Sequence, residues 1–218
     1  MSSRENILGR IRTKLGRNPD NAASASAAIE TYLATPVPGP QSRIDGDLVA
    51  RFREKSAAQS STVDEVATPA ELVPAIARYL AQHELPRQAV CWPEFMGLAW
   101  PDAQLQIESR GALGSDLVGI TGCFCAVAET GTLMLCSAPE TPATLSLLPE
   151  THIAIVPAAR IVSRMEDAWR LARAELPELP RAVNFISGPS RTGDIEQTIV
   201  LGAHGPYRVH IIIVGGAA

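Results

Sequence analysis

The stretch Val183–Glu196 constrains the fold more than any other part of the chain. Its first four residues, Val-Asn-Phe-Ile, are typical of a buried strand, and they run directly into a turn made of Gly, Pro and Ser. The acidic residues that follow predict a helix of about two turns that ends near Leu201. A strand, a tight polar turn and a helix start in succession are typical of α/β proteins, in which such turns bind ligands.

Strand and helix patterns alternate along most of the chain. This alternation predicts the α/β class with a mainly parallel sheet. The last strand, Arg208–Val214, ends in four consecutive apolar residues, as expected for a strand that is covered on both faces. The other predicted strands are 62–66, 88–92, 105–107, 117–128, 133–136 and 152–156. The predicted helices are 3–16, 48–58, 68–83, 141–149 and 163–175.

The N-terminal segment differs in composition from the rest of the chain. Ser2 and Glu5 have the spacing of a capping box, which predicts a helix that begins there. From Asn18 to about Asp45 the chain is rich in Ala, Ser and Pro, which predicts an extended linker over the surface. We therefore expect an N-terminal helical arm and linker in residues 1–45, followed by one α/β domain in residues 46–218.

The charge balance gives no sign of a basic binding surface. The chain has 23 acidic and 19 basic residues, a net charge of −4 and a pI near 5.6, so nucleic acid is not an expected partner. No apolar run reaches the roughly 18–20 residues that span a bilayer, and the first residues lack the apolar core of a secretory signal. We therefore expect a cytoplasmic protein without a membrane span.

The cysteine spacing does not predict a metal site. Cys123 and Cys125 form a single Cys-x-Cys, and no second pair follows at the spacing of a zinc or iron–sulfur site. We interpret these two residues, with Cys91 and Cys136, as small buried hydrophobic side chains, and we expect no metal in this chain.

The turn that begins at Ser187 is the predicted ligand site. Arg191 offers a permanent, forked positive charge, and N–H groups from Gly188 to Thr192 would assist it in holding an anion. Asp194 and Glu196 favour a helix start, and their negative charge makes a single carboxylate a better guest than a polyphosphate. The predicted ligand-binding residues, here and in the turn after Glu129, are Thr130, Gly131, Thr132, Ser187, Gly188, Pro189, Ser190, Arg191 and Thr192.

Two further turns contain candidate catalytic residues. The segment Glu129–Thr132 separates two apolar runs and predicts two strands joined by a tight turn. Glu129 is either a structural carboxylate that accepts hydrogen bonds from turn N–H groups, or a base or nucleophile. His204, in the turn Gly202–Pro206, is either a proton shuttle or a histidine that bonds a neighbouring carbonyl group.

Five motifs occur in an order that is specific enough to indicate a family. They are Ala128–Leu133, Ser146–Pro149, His152-Ile153, Ser187–Glu196 and His204–Pro206. Together they resemble the LUD-domain family, in particular its lactate utilization protein C members, over about residues 45–214. The resemblance implies an open sheet with helices on both faces, similar to the superfamily of ribose-5-phosphate isomerases, glucosamine-6-phosphate deaminases and coenzyme A transferases.

The resemblance also implies a function. The protein would act in the oxidation of L-lactate to pyruvate beside two partner proteins that carry iron–sulfur clusters, and it would hold no redox cofactor itself. The residues leave two alternatives open: an independent sugar-phosphate or acyl/CoA-transfer enzyme that uses Glu129, and a non-catalytic scaffold whose turns make subunit contacts. In each case we expect the three turns to lie together near the carboxyl ends of the core strands.

Overall fold

The computed structural model describes residues 2–35, 39–193 and 198–215. By its internal contacts the chain divides into two compact units, Met1–Arg43 and Ile44–Ala218. Within the described ranges, no helix is both long enough and apolar enough to cross a membrane.

The first unit consists of two helices, α1 (Ser3–Lys14) and α2 (Pro19–Ala34). The predicted capping box begins α1, because Ser2 Oγ accepts from the N–H of Glu5 and Glu5 Oε2 accepts from the N–H of Ser2 at 2.6 Å. The prediction of an extended linker is wrong where α2 lies. Asn18 Oδ1 accepts from the N–H of Asn21 at 2.9 Å, and this cap begins an alanine-rich segment of high helix propensity.

The second unit alternates strands and helices. Its helices are α3 (Leu48–Ala58), α4 (Leu72–Gln82), α5 (Thr144–Leu147) and α6 (Met165–Glu175). Its strands are β1 (Thr62–Val66), β2 (Gln88–Cys91), β3 (Gln106–Ser109), β4 (Val118–Thr121), β5 (Cys125–Val127), β6 (Thr132–Cys136), β7 (Thr151–Pro157), β8 (Ile161–Val162), β9 (Val183–Ile186), β10 (Arg191–Thr192), β11 (Val200–Leu201) and β12 (Arg208–Val214).

The main sheet has six strands in the order β1-β12-β7-β4-β2-β3, and all neighbouring pairs are parallel. This confirms the predicted α/β class. Successive side chains of a strand point to opposite faces of the sheet. The main sheet therefore has a hydrophobic core on each of its two faces. Ile153, Ile155 and Ile212 pack with Ile76 and Leu80 of α4 on one face.

The opposite face of the main sheet is covered by a second, smaller sheet as well as by a helix. This sheet has the order β8-β5-β6-β9, and it packs Leu133 and Leu135 against Ile211 and Ile213 of β12, with Phe52 of α3 in the same core. Its outer face is covered by α6. The prediction placed all these strands in one sheet, since two apolar runs joined by a turn do not reveal which sheet they enter.

The order of the main strands creates one topological switch point. From β2 the chain goes outward to the edge strand β3, and it then returns to β4 on the other side of β2. The connections after β2 and β4 therefore leave in opposite directions and open a crevice at the carboxyl ends of these strands, where α/β proteins usually bind ligands.

Candidate functional site

The turn between β5 and β6 packs directly on helix α3. Gly131 has φ +68°, and a Cβ atom at this position would lie 2.3 Å from the backbone nitrogen of Ser56. Ser56 Oγ donates to the carbonyl oxygen of Gly131 at 3.3 Å, and the N–H of Gly131 closes the turn on Val127 at 2.9 Å. Glycine is required here both by the left-handed backbone and by the close approach of the helix.

The turn after β9 packs on the end of the same helix. Gly188 has φ +81°, and a Cβ atom there would lie 2.1 Å from the carbonyl oxygen of Gln59. Gln59 follows Ser56 by three residues, so the two turns lie against adjacent positions of α3. The carboxyl end of this helix therefore aligns two of the three predicted turns.

A row of hydroxyl groups connects these two turns. Thr132 Oγ1 lies 2.7 Å from Thr130 Oγ1 and 2.7 Å from Ser187 Oγ. The contact follows from the antiparallel pairing of β6 with β9, in which Leu133 lies opposite Ile186. The start of β6, where Thr132 lies, is therefore beside the end of β9, which Ser187 follows. Thr132 is buried, whereas Thr130 and Ser187 are exposed.

The third turn contacts the middle one through backbone groups. The N–H of Ser190 donates to the carbonyl oxygen of Pro206, and the N–H of Gly202 donates to the carbonyl oxygen of Ser190, both at 2.9 Å. Gly205 faces Ser190, because a Cβ atom added to Gly205 would lie 3.3 Å from the Cβ atom of Ser190. Residues 129–132, 187–192 and 202–206 therefore form one assembly, which we call the turn cluster.

Arg191 is bound to the end of helix α3. Its guanidinium group donates to the carbonyl oxygen of Gln59 at 3.2 Å and to Ser60 Oγ. Ser60 has φ +68°, and the N–H of Ser61 donates to the carbonyl oxygen of Ser56, which is the geometry of a left-handed helix cap. The positive charge of Arg191 thus lies where the helix dipole is negative. Its role as an anion clamp stays a prediction beside this structural role.

Glu129 and His204 lie in the first and the third turn of the cluster. Glu129 is half-buried, and its N–H donates to the carbonyl oxygen of Ser163 at 3.0 Å, just before α6. His204 is exposed. Of the other predicted residues, Pro189 and Thr192 are buried and Ser190 is half-buried.

Two expectations about this region are wrong. The turn cluster lies at the amino ends of the main strands, because Pro206 precedes β12 by two residues and Gln59 precedes β1. The helix expected up to Leu201 is wrong at its end, where Val200 and Leu201 form β11, paired antiparallel with β10. The position of the cluster differs from the expectation because β9 runs in the small sheet. Asp194 and Glu196, expected to begin the helix, lie outside the described residues.

Exposed apolar side chains lie on the segments next to the turn cluster. We call them the apolar rim, and each is at least 39% exposed: Leu147, Leu148, Ile199, Leu201 and Tyr207. The segments that carry them touch the cluster, since Leu147 lies beside Gly205 and Tyr207 beside Gly202. Several large apolar side chains close together at a surface are typical of protein contacts.

The crevice at the opposite end of the sheet contains a cavity of about 330 Å³. Trp92 and Glu94 follow β2, and Cys123 and Phe124 follow β4. Partial desolvation raises the pKa of the Glu94 carboxyl group, and burial raises the pKa of the Cys123 thiol. The sequence analysis missed this site because only the strand order shows that β2 and β4 are neighbours.

A buried polar pair supports the floor of this crevice. Thr121 Oγ1 donates to the carbonyl oxygen of Gly122 at 2.8 Å and lies 2.7 Å from His152 Nε2. The hydroxyl group of Thr121 has one proton, and it donates that proton to Gly122. In the contact with His152 this hydroxyl group must therefore accept, and Nε2 of the imidazole donates. Burial lowers the pKa of His152 to about 4, so the ring is neutral.

Comparison with known protein families identifies the chain. The LUD domain model matches residues 94–214, which is more than half of the chain and includes the crevice residues from Glu94 onward and the three turns. The chain belongs to the LUD-domain family. The LUD match begins after α3, so the helix that holds the turn cluster lies outside the matched range.

Individual relatives of this LUD protein resemble it over part of their length. Lactate utilization protein C of Bacillus subtilis is 42% identical over 127 residues, 56% of this chain and 53% of that protein. Lactate utilization protein C of an Exiguobacterium species is 41% identical over 118 residues, 53% of this chain and 51% of that protein. The chain therefore spans about half the length of these relatives in the matched region.

A solved structure is similar over a larger share of the LUD protein. It is the crystal structure of a DUF162 family protein from Deinococcus radiodurans, with a TM-score of 0.60 and 25% sequence identity. The match covers 81% of this chain and all of that one. The α/β fold described above is thus also found in an experimentally determined relative.

Proposed function

We propose that this LUD protein takes part in the utilization of L-lactate, as a cytoplasmic accessory component in its oxidation to pyruvate. The observation that carries the proposal is the similarity of the LUD region to proteins named lactate utilization protein C, at 41% and 42% identity. In this proposal the chain has no redox centre of its own, and the iron–sulfur clusters reside on partner proteins.

The turn cluster is the surface that we propose for contact with such a partner. Its hydrogen-bonding groups are largely used within the fold, because the N–H of Ser190 binds Pro206 and the guanidinium group of Arg191 binds the end of α3. The exposed apolar rim around it supports a protein contact more than a small anion. Binding of a small carboxylate at Arg191 is the alternative for the same surface.

The independent-enzyme alternative requires Glu129 and His204 to act on one substrate. An acid–base pair needs both groups within hydrogen-bond reach of one substrate. Glu129 lies beside the start of α6, and His204 lies in an exposed turn beyond Ser190. We propose instead that the chain supports lactate oxidation without performing an acyl-transfer or sugar-phosphate reaction.

A deletion strain tests the proposed function. The gene is removed from its host, and growth is measured with L-lactate or pyruvate as the sole carbon source. The proposal predicts loss of growth on lactate, normal growth on pyruvate, and recovery when the wild-type chain is supplied. Normal growth of the deletion strain on lactate would contradict it, provided that the host encodes no second member of the family.

A further inference from the structure

The crevice between β2 and β4 has features that the proposed function does not use. It lies at the end of the main sheet opposite to the turn cluster, at the point where the strand order reverses. Cavities of roughly 300–1,000 Å³ are those that hold small molecules in proteins, and the volume of about 330 Å³ is at the lower end of this range.

The walls of the cavity suit a flat apolar group. Trp92 is 6% exposed, and its indole N–H has no acceptor among the residues that the structure describes. Phe124 lies on the β4 side of the same cavity. Trp92 and Phe124 thus provide two aromatic side chains against which a flat apolar group can pack.

The charge of the cavity excludes an anionic guest. Its described lining residues include two carboxylates, Glu94 and Glu140, and no basic side chain. A positive group close to the cavity is Arg160, whose guanidinium carbon lies 4.8 Å from the ring centre of Phe124. That charge is compensated, because Arg160 makes two hydrogen bonds to Glu175, at 2.8 and 2.9 Å. A carboxylate or phosphate would therefore meet two like charges without a counter-ion.

Gly122 leaves space for the carboxylate of Glu94. A Cβ atom on this residue would lie 2.6 Å from Glu94 Oε1 and 3.2 Å from the ring of Trp92. The carboxylate thus rests over the end of β4. Within the described part of the chain, Glu94 has no hydrogen bond or ion pair, so its acceptor oxygens are available to a guest.

We propose that this crevice binds a small molecule with a flat apolar body and a cationic or N–H-donating end. The apolar body lies between Trp92 and Phe124, and the donating end binds the carboxylate of Glu94. This inference is independent of the lactate proposal, since it concerns the opposite end of the sheet and a ligand of opposite charge.

Two probes of the same shape test the proposal. Benzamidine and benzoate share a phenyl ring, but the first carries an amidinium group and the second a carboxylate. Calorimetric titration of the purified chain should show millimolar or tighter binding of benzamidine and at least tenfold weaker binding of benzoate. Equal binding of the two probes, or no binding of benzamidine, would overturn the proposal.

Substitutions in the cavity test whether benzamidine binds there. Glu94→Gln keeps the shape and removes the charge, so benzamidine should bind about tenfold more weakly, as expected for the loss of one charge-assisted hydrogen bond. Gly122→Ala should weaken binding in the same direction, because the methyl group displaces the carboxylate. Glu178→Gln, an exposed carboxylate outside the cavity, is the control and should leave binding unchanged. Unchanged affinity in Glu94→Gln, with thermal unfolding as in the wild type, would place the probe elsewhere and overturn the assignment.

Discussion

Gly131 and Gly188 are the residues on which the turn cluster depends most. Each combines a left-handed backbone with a contact that leaves no space for a Cβ atom. We predict that Gly131→Ala and Gly188→Ala each lower the free energy of unfolding by about 3 kcal/mol or more, since backbone strain and overlap with α3 add. Urea unfolding followed by tryptophan fluorescence measures this, because all three tryptophans lie in the second unit.

Gly114 provides the matched control for these substitutions. An added Cβ atom there meets no atom within 4 Å, and its φ lies outside the left-handed region. Gly114→Ala should therefore change stability by less than about 1 kcal/mol. If all three variants unfolded at the same urea concentration, the close packing of the two turns on α3 would be refuted.

Two buried histidines predict a loss of stability in mild acid. Burial lowers the pKa of His152 and of His210 to about 4, and His210 is stacked on Tyr79 with ring centres 3.8 Å apart. The unfolded chain binds these protons near its ordinary pKa of about 6.5, while the folded chain does not. Stability is therefore complete above pH 6.5 and falls as the pH approaches 4, by up to about 3 kcal/mol for each histidine.

Urea unfolding at pH values from 7 to 5 measures this slope. His210→Gln should reduce it, because one of the two buried proton acceptors is gone, even if the variant is less stable at every pH. A slope that is equal in the wild type and in His210→Gln would show that His210 does not account for the acid sensitivity.

Residue-scale features were partly predictable. The sequence marked Gly131 and Gly188 as turn residues because glycine between an apolar strand and a polar segment has few other roles. It could not show that Arg191 binds Gln59, because a contact between residues 132 positions apart is decided by packing. For the same reason neither Glu94 nor Gly122 alone indicates a binding site in the sequence.

Helix α3 is the element that organises the turn cluster. Its carboxyl end receives Gly131, Gly188 and the guanidinium group of Arg191. The helix was predicted from its apolar spacing, but its importance was not, because nothing in its own sequence indicates what packs on its end. The second sheet escaped prediction similarly, since β5 and β6 are apolar enough for either sheet.

Arg191 is predicted to stabilise α3 as a helix cap. Arg191→Ala should lower the free energy of unfolding by about 0.5–1 kcal/mol, because a cation at a helix carboxyl end is lost. Arg191→Lys should retain part of this effect. Arg181→Ala, which removes an exposed arginine before β9, is the control and should have no measurable effect.

The anion-clamp alternative gives a different result for the same variants. If Arg191 also binds an anion, Arg191→Ala loses that binding in addition to the helix cap. L-lactate or inorganic phosphate would raise the melting temperature of the wild type and leave that of Arg191→Ala unchanged. Thermal unfolding with and without each anion distinguishes the two roles.

At the scale of the whole molecule, the main sheet separates two surfaces with different chemistry. The turn cluster and its apolar rim lie at the amino ends of the strands, and the negatively charged crevice lies at the carboxyl ends. Alternation of strands and helices predicted the α/β class. The strand order, and with it the end at which each turn lies, depends on long-range pairing that a sequence pattern does not contain.

The central claim is that the turn cluster and its apolar rim form the working surface of this protein. Growth of a deletion strain that carries variants of the apolar rim tests it most directly. The strain receives the wild-type chain, a Leu148→Glu and Tyr207→Glu double variant, or Leu179→Glu, which changes an exposed leucine four residues before β9. We predict that the double variant, at normal protein level and stability, fails to restore growth on L-lactate, while Leu179→Glu restores it and all strains grow on pyruvate. Normal growth of the double variant on lactate would contradict the claim that the turn cluster is the working surface of this protein.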